Sequence, residues 1–283
     1  MTFARNIATL LLSVLMLCNM TACKDAENPV VGNKSGGAGL SYLDAAHSHI
    51  HTREFHIRTM TYNVHNCVGT DGVTDYKRVA DAISKYDLDA VALQELDSVT
   101  SRHNRQDVLK NLADLTGMYP TFGAAIKFSG GKYGVGVLTK EKPLSYYCVS
   151  LPCSSEPRVL LVVELKDCYF CCTHFSLLAE YRNKAVEIIV EEAKRLNKPM
   201  IVAGDLNATR DQDSMQQLAE HFYIFEKMGT PHTFSSSNPS KEIDFICLYK
   251  DRGAEADVKM YWVPYTPILS DHLPAVAYMT IFE

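Results

Sequence analysis

From residue 55 onward the chain alternates short apolar runs with amphipathic stretches, and it does so irregularly. Strands are predicted at 55–64 and 88–93, each followed by a helix, at 75–86 and 106–116. Tyr76, Val79, Ala80 and Ile83 fall on one face of the first helix; Val108, Leu112 and Leu115 on one face of the second. Five strands follow with only short connections, at 119–126, 133–139, 144–151, 158–165 and 169–175, punctuated by Gly130-Gly131 and Lys166-Asp167. A helix at 180–196, a strand at 200–206, a helix at 214–221 and strands at 242–248, 258–265 and 275–282 complete the pattern. Helical crossovers join parallel strands, whereas tight hairpins join antiparallel ones. A single parallel sheet cannot hold both. The pattern therefore predicts an α/β fold of two mixed sheets, each with helices on its outer face.

The first 54 residues read differently. Arg5 precedes an apolar run at 7–17, too short for a membrane span but suited to a secretory signal. Met20-Thr21-Ala22-Cys23 resembles a bacterial lipobox, so residues 1–22 are expected to be a signal peptide and Cys23 a lipidated N-terminus. Lys24, rather than an aspartate, follows the cysteine, which points to the outer membrane of a bacterial envelope. Residues 23–54, with Pro29, Gly32, Gly36, Gly37 and Gly39, read as a tether. His47, His49, His51 and His56 have the look of a metal tract; a solvated tether is the simpler reading.

The formal net charge is −5, and cleavage before Cys23 removes one base and makes it −6. That excludes a globally basic nucleic-acid binder, although not a local basic groove. Seven cysteines lie beyond Cys23. Cys168, Cys171 and Cys172 lack a second pair at zinc spacing and read as small strand hydrophobes. Cys148 and Cys153 flank a short loop and are open to bridging in an oxidising compartment.

Polar residues gather where strands are predicted to end. They are Asn63; Glu95 in Gln94-Glu95; His174 in Thr173-His174; Asp205 and Asn207 in Gly204-Asp205-Leu206-Asn207; Asp244 in Ile243-Asp244; and Ser270-Asp271-His272. In this order and spacing the six motifs resemble the endonuclease/exonuclease/phosphatase superfamily, the group of deoxyribonuclease I, abasic-site exonucleases, inositol polyphosphate 5-phosphatases and bacterial sphingomyelinases. The resemblance runs over residues 55–283. It implies a four-layer α/β/β/α sandwich and metal-dependent hydrolysis of phosphoesters.

The resemblance also implies roles. Glu95 becomes the principal ligand of Mg²⁺, with Mn²⁺ a substitute, and Asn63 and Asp271 contribute further oxygens. Hard oxygen donors suit either ion. Asp205 orients or deprotonates the attacking water, Asn207 donates to a phosphoryl oxygen and His174 to the developing phosphorane. Asp244 and His272 form a carboxylate–imidazole pair. Whether Asp205 or His272 takes the proton stays open. A carboxylate often stands two residues after the first asparagine in family nucleases; here it is His65, a poorer Mg²⁺ ligand, open to substrate contact or to packing. Arg102 is a candidate for forking onto a substrate phosphate, and Lys132 and Tyr133 for phosphate or base contact. The Gly-rich turn before Tyr133 is no P-loop, because Gly-Lys-Ser/Thr does not follow.

The expected partners are a phosphoester, either a nucleic acid or a lipid head group, and the membrane through the anchor; no protein partner is predicted. The competing reading, a non-catalytic binding lipoprotein on the same fold, would be marked by loss of Glu95, Asp205 or His272, all of which are present.

Overall fold

The computed structural model describes residues 53–283. The expected signal segment, Cys23, most of the tether and His47, His49 and His51 lie outside the described residues. His56 sits in the first strand, as the predicted strand at 55–64 has it, its Nδ1 2.9 Å from Thr280 Oγ1.

One sheet contains β1 (Glu54–Asn63), β2 (Ala90–Ser98), β3 (Tyr119–Phe128), β4 (Gly131–Thr139), β11 (Glu255–Trp262) and β12 (Ala275–Phe282), in the order β11-β12-β1-β2-β4-β3. The other contains β5 (Ser145–Leu151), β6 (Arg158–Glu164), β7 (Tyr169–His174), β8 (Met200–Asp205), β9 (Phe222–Ile224) and β10 (Asp244–Tyr249), in the order β5-β6-β7-β8-β10-β9. Each sheet has one parallel pair, β1/β2 and β7/β8, joined through a helix as a right-sized crossover requires. The remaining neighbours are antiparallel.

Three apolar layers hold the sandwich together. Helices α1 (Tyr76–Ser84) and α2 (Val108–Thr116) bury Val79, Ile83, Val108 and Leu112 on the outer face of the first sheet. Asp75 and Asp107 cap them by accepting from the backbone N–H of Arg78 and Lys110. Helices α3 (Ala179–Arg195) and α4 (Asp213–His221) cover the second sheet with Val186, Ile189, Met215 and Leu218. Between the sheets, Ile57, Val137, Leu161, Phe170, Ile246 and Ala277 interlock. Cys168 and Cys172 sit in that middle layer as small hydrophobes, as read from the sequence, and Cys172 donates across the gap to Leu93 O at 3.4 Å. Cys148 and Cys153 are both free thiols rather than bridged: Cys148 pairs in register with Leu161 inside β5, whereas Cys153 lies beyond the strand. Among the described residues no helix is long and apolar enough to cross a membrane.

Most predicted elements fall within two residues of their observed bounds. The short β9 was not anticipated. The second strand is longer than expected and runs through Glu95 rather than ending before it.

Where β8 pairs with β7, Gly204 lies opposite Thr173 and the backbones come very close. A Cβ on Gly204 would stand 2.1 Å from Thr173 O. Gly204→Ala is expected to cost roughly 1–3 kcal/mol, the range for forcing extra atoms into a packed site. Urea unfolding measures this; an unchanged midpoint would mean that the two strands separate there without penalty.

Candidate active site

The side chains of alternate strand residues share a face. In β7, β8 and β10 the residues on the inter-sheet face end in His174, Asp205 and Asp244. Register makes them neighbours: His174 pairs with Asp205, and Asp205 with Asp244. The site is thus the open end of the layer between the sheets. From the first sheet, β1 delivers Asn63 to the same end, and the turn before β12 delivers Asp271 and His272. His174, Asp205, Asp271 and His272 line a cleft of about 640 Å³, and Asn63 and Asp244 reach it through their hydrogen bonds to Asp205 and His272.

Asp205 is the centre. Its Oδ2 lies 3.2 Å from Asn63 Nδ2, 3.4 Å from His174 Nε2 and 3.6 Å from His272 Nε2. Its Oδ1 accepts from the backbone N–H of Asn207 at 2.9 Å. Burial, and then the neighbouring Asp244, raise its carboxyl above the ordinary range. The two histidines are pushed apart. Burial outweighs the pull of Asp205 on His174 and, with Arg158 and His272 nearby, brings it down to about 4. Burial acts in the same direction on His272, but Asp244, Asp205 and Asp271 overcome it and raise it to about 10. His272 Nδ1 is 2.9 Å from Asp244 Oδ2, the expected pair. At neutral pH, His272 is therefore an imidazolium and His174 a neutral ring, its Nδ1 facing Arg158 Nη1 at 3.4 Å.

Glu95 reaches the cleft through a β-bulge. Leu93 and Leu96 both pack under the helices of the first sheet, although a regular strand would place them on opposite faces. The register of β2 against β4 shifts between them, and Glu95 takes a left-handed φ of 59°. Without that extra residue Glu95 would point under α2. With it, Glu95 accepts from Asn63 Nδ2 at 3.0 Å. Burial and the charge of Asp271 raise its carboxyl.

These groups bear directly on a metal. Two carboxylates, Glu95 and Asp271, share the cleft, near enough for the charge of Asp271 to raise Glu95, and both are hard oxygen donors. A divalent cation fits that need. Asn63 presents its amide nitrogen to the carboxylates, while its oxygen accepts from His65 N–H at 3.2 Å, so it offers an oxygen ligand only if the amide turns over. Asp205, Asp244 and His272 also bring ligand-type atoms within 4.8 Å of one another. There His272 places both ring nitrogens against carboxylates, and a cation would have to displace a firmly held proton.

The sequence matches the model of the Endonuclease/Exonuclease/phosphatase family over residues 60–272. The chain belongs to this family. Its members are generally phosphoester hydrolases and commonly use a divalent metal. No curated protein matches the chain by sequence. Solved structures show the shared fold. An endonuclease/exonuclease/phosphatase from Beutenbergia cavernae superposes with a TM-score of 0.67 at 22% identity, covering 79% of this chain and 71% of its own. One from Bacteroides vulgatus gives 0.67 at 20%, covering 80% and 98%. A mannosyl-6-phosphatase from Bacteroides thetaiotaomicron gives 0.61 at 16%, covering 79% and 99%.

Arg102, Asn207, His65 and Lys132, singled out from the sequence, are placed as follows, with Asn207 in the cleft lining. Arg102 forks onto the buried Asp97 through Nε and Nη2, at 2.7 and 2.8 Å, and stacks over Phe128, because an unpaired carboxylate there would be costly. It is not held out toward a phosphate. Asn207 does not continue the strand direction; it turns with a φ of 47°, and its Nδ2 donates to Phe175 O at 3.1 Å. His65 is exposed, opens a left-handed turn and is absent from the cleft lining, whereas Tyr133 does line it. Lys132 is exposed on β4.

Sequence reasoning missed Arg158. Its side chain is almost wholly buried beside His174, paired with Glu156, and its Nε has no partner. Ser270 was quoted only as part of a motif; its hydroxyl donates to Asn63 O at 2.7 Å and ties the two strand ends together. Phe234, whose ring centroid is 4.8 Å from that of His272, gave no signal of its own.

The Asp244–His272 pair sets a pH dependence. An unfolded histidine titrates near ~6.5. The pair's contribution to stability is complete below that pH and is lost as pH rises toward the folded value of about 10. In Asp244→Asn, NMR titration is expected to find the His272 pKa lowered toward the unfolded value, and stability should fall less between those two pH values than in the wild type. An unmoved pKa would refute the pairing.

Proposed function

We propose that this protein is a divalent-metal-dependent phosphoester hydrolase exported to the bacterial envelope, with Mg²⁺ as the metal and Mn²⁺ as a substitute. The observation that carries the reading is Asp205, held between a neutral His174 and a charged His272 at the floor of a cleft that also holds Glu95 and Asp271.

The chemistry follows from the protonation states. Asp205, its affinity for a proton raised by burial, is suited to accept the proton of an attacking water. His272, whose charged form Asp244 favours, is less suited to accept a proton; held by Asp244, it supplies positive charge and a donor to the phosphoryl oxygens. That favours Asp205 of the two candidates for base. Arg158 lines the cleft and is suited to place its positive charge near a bound phosphate. Glu95 and Asp271 would hold the cation, with Asn63 joining through its oxygen after an amide turn. When bound, the cation neutralises charge on the transferring phosphoryl group.

The net charge of −5 supports a compact phosphoester over a long polynucleotide, since tracking a nucleic-acid backbone needs an array of cations. Anchoring through Cys23 supports an envelope location and access to head groups.

Phosphate release should be measured on plasmid DNA, RNA, inositol polyphosphates, sphingomyelin and a sugar 6-phosphate, with Mg²⁺, Mn²⁺ or EDTA. Asp205→Asn is expected to lower kcat at least ~10²-fold, the low end for losing a positioned acid–base group. Glu95→Gln should raise the metal concentration needed. Undiminished turnover in EDTA would overturn the metal assignment. Metabolic labelling with a fatty-acid analogue is expected to mark the wild type and not Cys23→Ala; equal labelling would refute the anchor.

A further inference from the structure

Strand β10, which carries Asp244, has an incomplete edge. β9 pairs with it only over Cys247–Tyr249, and the chain beyond Ile224 turns away. Side chains satisfy the part left open. Thr233 Oγ1 accepts from the N–H groups of Ile243 and Asp244, each at 3.3 Å, and Tyr261 Oη accepts from Ile246 N–H at 2.9 Å.

A charged cluster occupies the opening. Arg210 donates to the carbonyls of Ile224 and Phe225 at 3.2 and 2.6 Å, and to both carboxylate oxygens of Glu242 at 2.6 and 3.1 Å. Glu242 lies two residues before Asp244. The Lys227 side chain is 0% exposed; its ammonium donates to Glu242 and lies 4.4 and 4.8 Å from the ring centroids of Phe245 and Tyr261. Burial pushes this lysine down, Glu242 pulls it back, and its charge reaches Asp244.

An ammonium so deeply buried is a costly way to fill space, since apolar residues of like volume often serve stability as well or better. Its position suggests another purpose. We propose that Lys227 is a positioning residue for the Asp244–His272 pair, acting through Glu242 and Arg210 as a wedge that holds the start of β10 in register. Asp244 Oδ1 is buried without a hydrogen-bond partner, so only its other oxygen, on His272, and its strand fix its orientation. A loosened strand would swing the carboxylate away from the ring. The inference rests on the reading that this pair serves hydrolysis.

The test uses the full chain with 4-nitrophenyl phosphate and bis(4-nitrophenyl) phosphate in Mn²⁺. Lys227→Met leaves Glu242 paired with Arg210 alone and risks loosening the fold, so Lys227→Met/Glu242→Gln, which removes both charges, is made beside it. By analogy with residues that orient metal ligands, kcat should fall roughly ten- to a hundredfold with KM unchanged. In a His272→Ala background the same changes should cost nothing further, because the unit they serve is already gone. The downfield proton resonance of His272 Nδ1–H should shift or broaden in folded Lys227→Met/Glu242→Gln. An equal fractional loss of rate in both backgrounds, or an unmoved resonance, would overturn the proposal. If the wild type hydrolyses neither ester, the hydrolase reading fails, and the resonance still decides the positioning role.

Discussion

A carboxylate buried where two sheets meet must be surrounded by donors, and Asp205 gathers its own from both sheets. Asn63 and His272 belong to the first sheet; His174 and the Asn207 amide belong to the second. Asp205 Oδ2 therefore ties the halves of the sandwich together at their open end. Removing one donor would leave the charge less compensated, so chemistry and cohesion at this end cannot be tuned separately. The opposite protonation of the two histidines follows from the same geometry. Asp244 stands directly behind one ring, while Arg158 faces the other.

Around that centre the backbone departs from regular structure. Glu95 lies in a left-handed bulge, His65, Asn66 and Cys67 form three successive positive-φ residues, and Asn207 turns the chain just after β8. Each conformation is unfavourable for a residue with a side chain, and those at Glu95 and Asn207 redirect residues that line the cleft. Asn66 shows how such a turn is held: it is buried and accepts from Asp97 N–H at 2.7 Å. Asp97 in turn anchors Arg102. The loop after β1 and the loop after β2 are thereby locked to each other beneath Glu95.

The layers were legible because period and spacing encode them. Apolar runs at 200–206 and 275–282 had no other reading, and the mixture of crossovers and hairpins excluded a single sheet. The six motifs converge on one cleft, as expected of strand ends in such a fold. What could not be read was local aim. Nothing in Gln94-Glu95 announces a bulge, since that depends on Leu93 and Leu96 both finding places under the helices. Arg102 and Arg158 look alike in sequence; only the three-dimensional partners, Asp97 for one and His174 for the other, separate a structural arginine from one in the cleft. Lys227 carried no signal either, because a lysine between Glu226 and Met228 reads as solvated until Phe245 and Tyr261 enclose it.

The order of strands in the first sheet decides when the cleft is completed during synthesis. β12 fits between β1 and β11, and its pairing with β1 joins residues more than two hundred positions apart. Such distant pairing makes assembly slow and cooperative. His272 stands just before β12 and reaches Asp205 only when that strand is in place. A nascent or partly threaded chain that has already formed β1, β2 and the whole second sheet still lacks its imidazolium. The cleft is therefore complete only once β12 is in place, and the topology withholds this imidazole from every unfinished form.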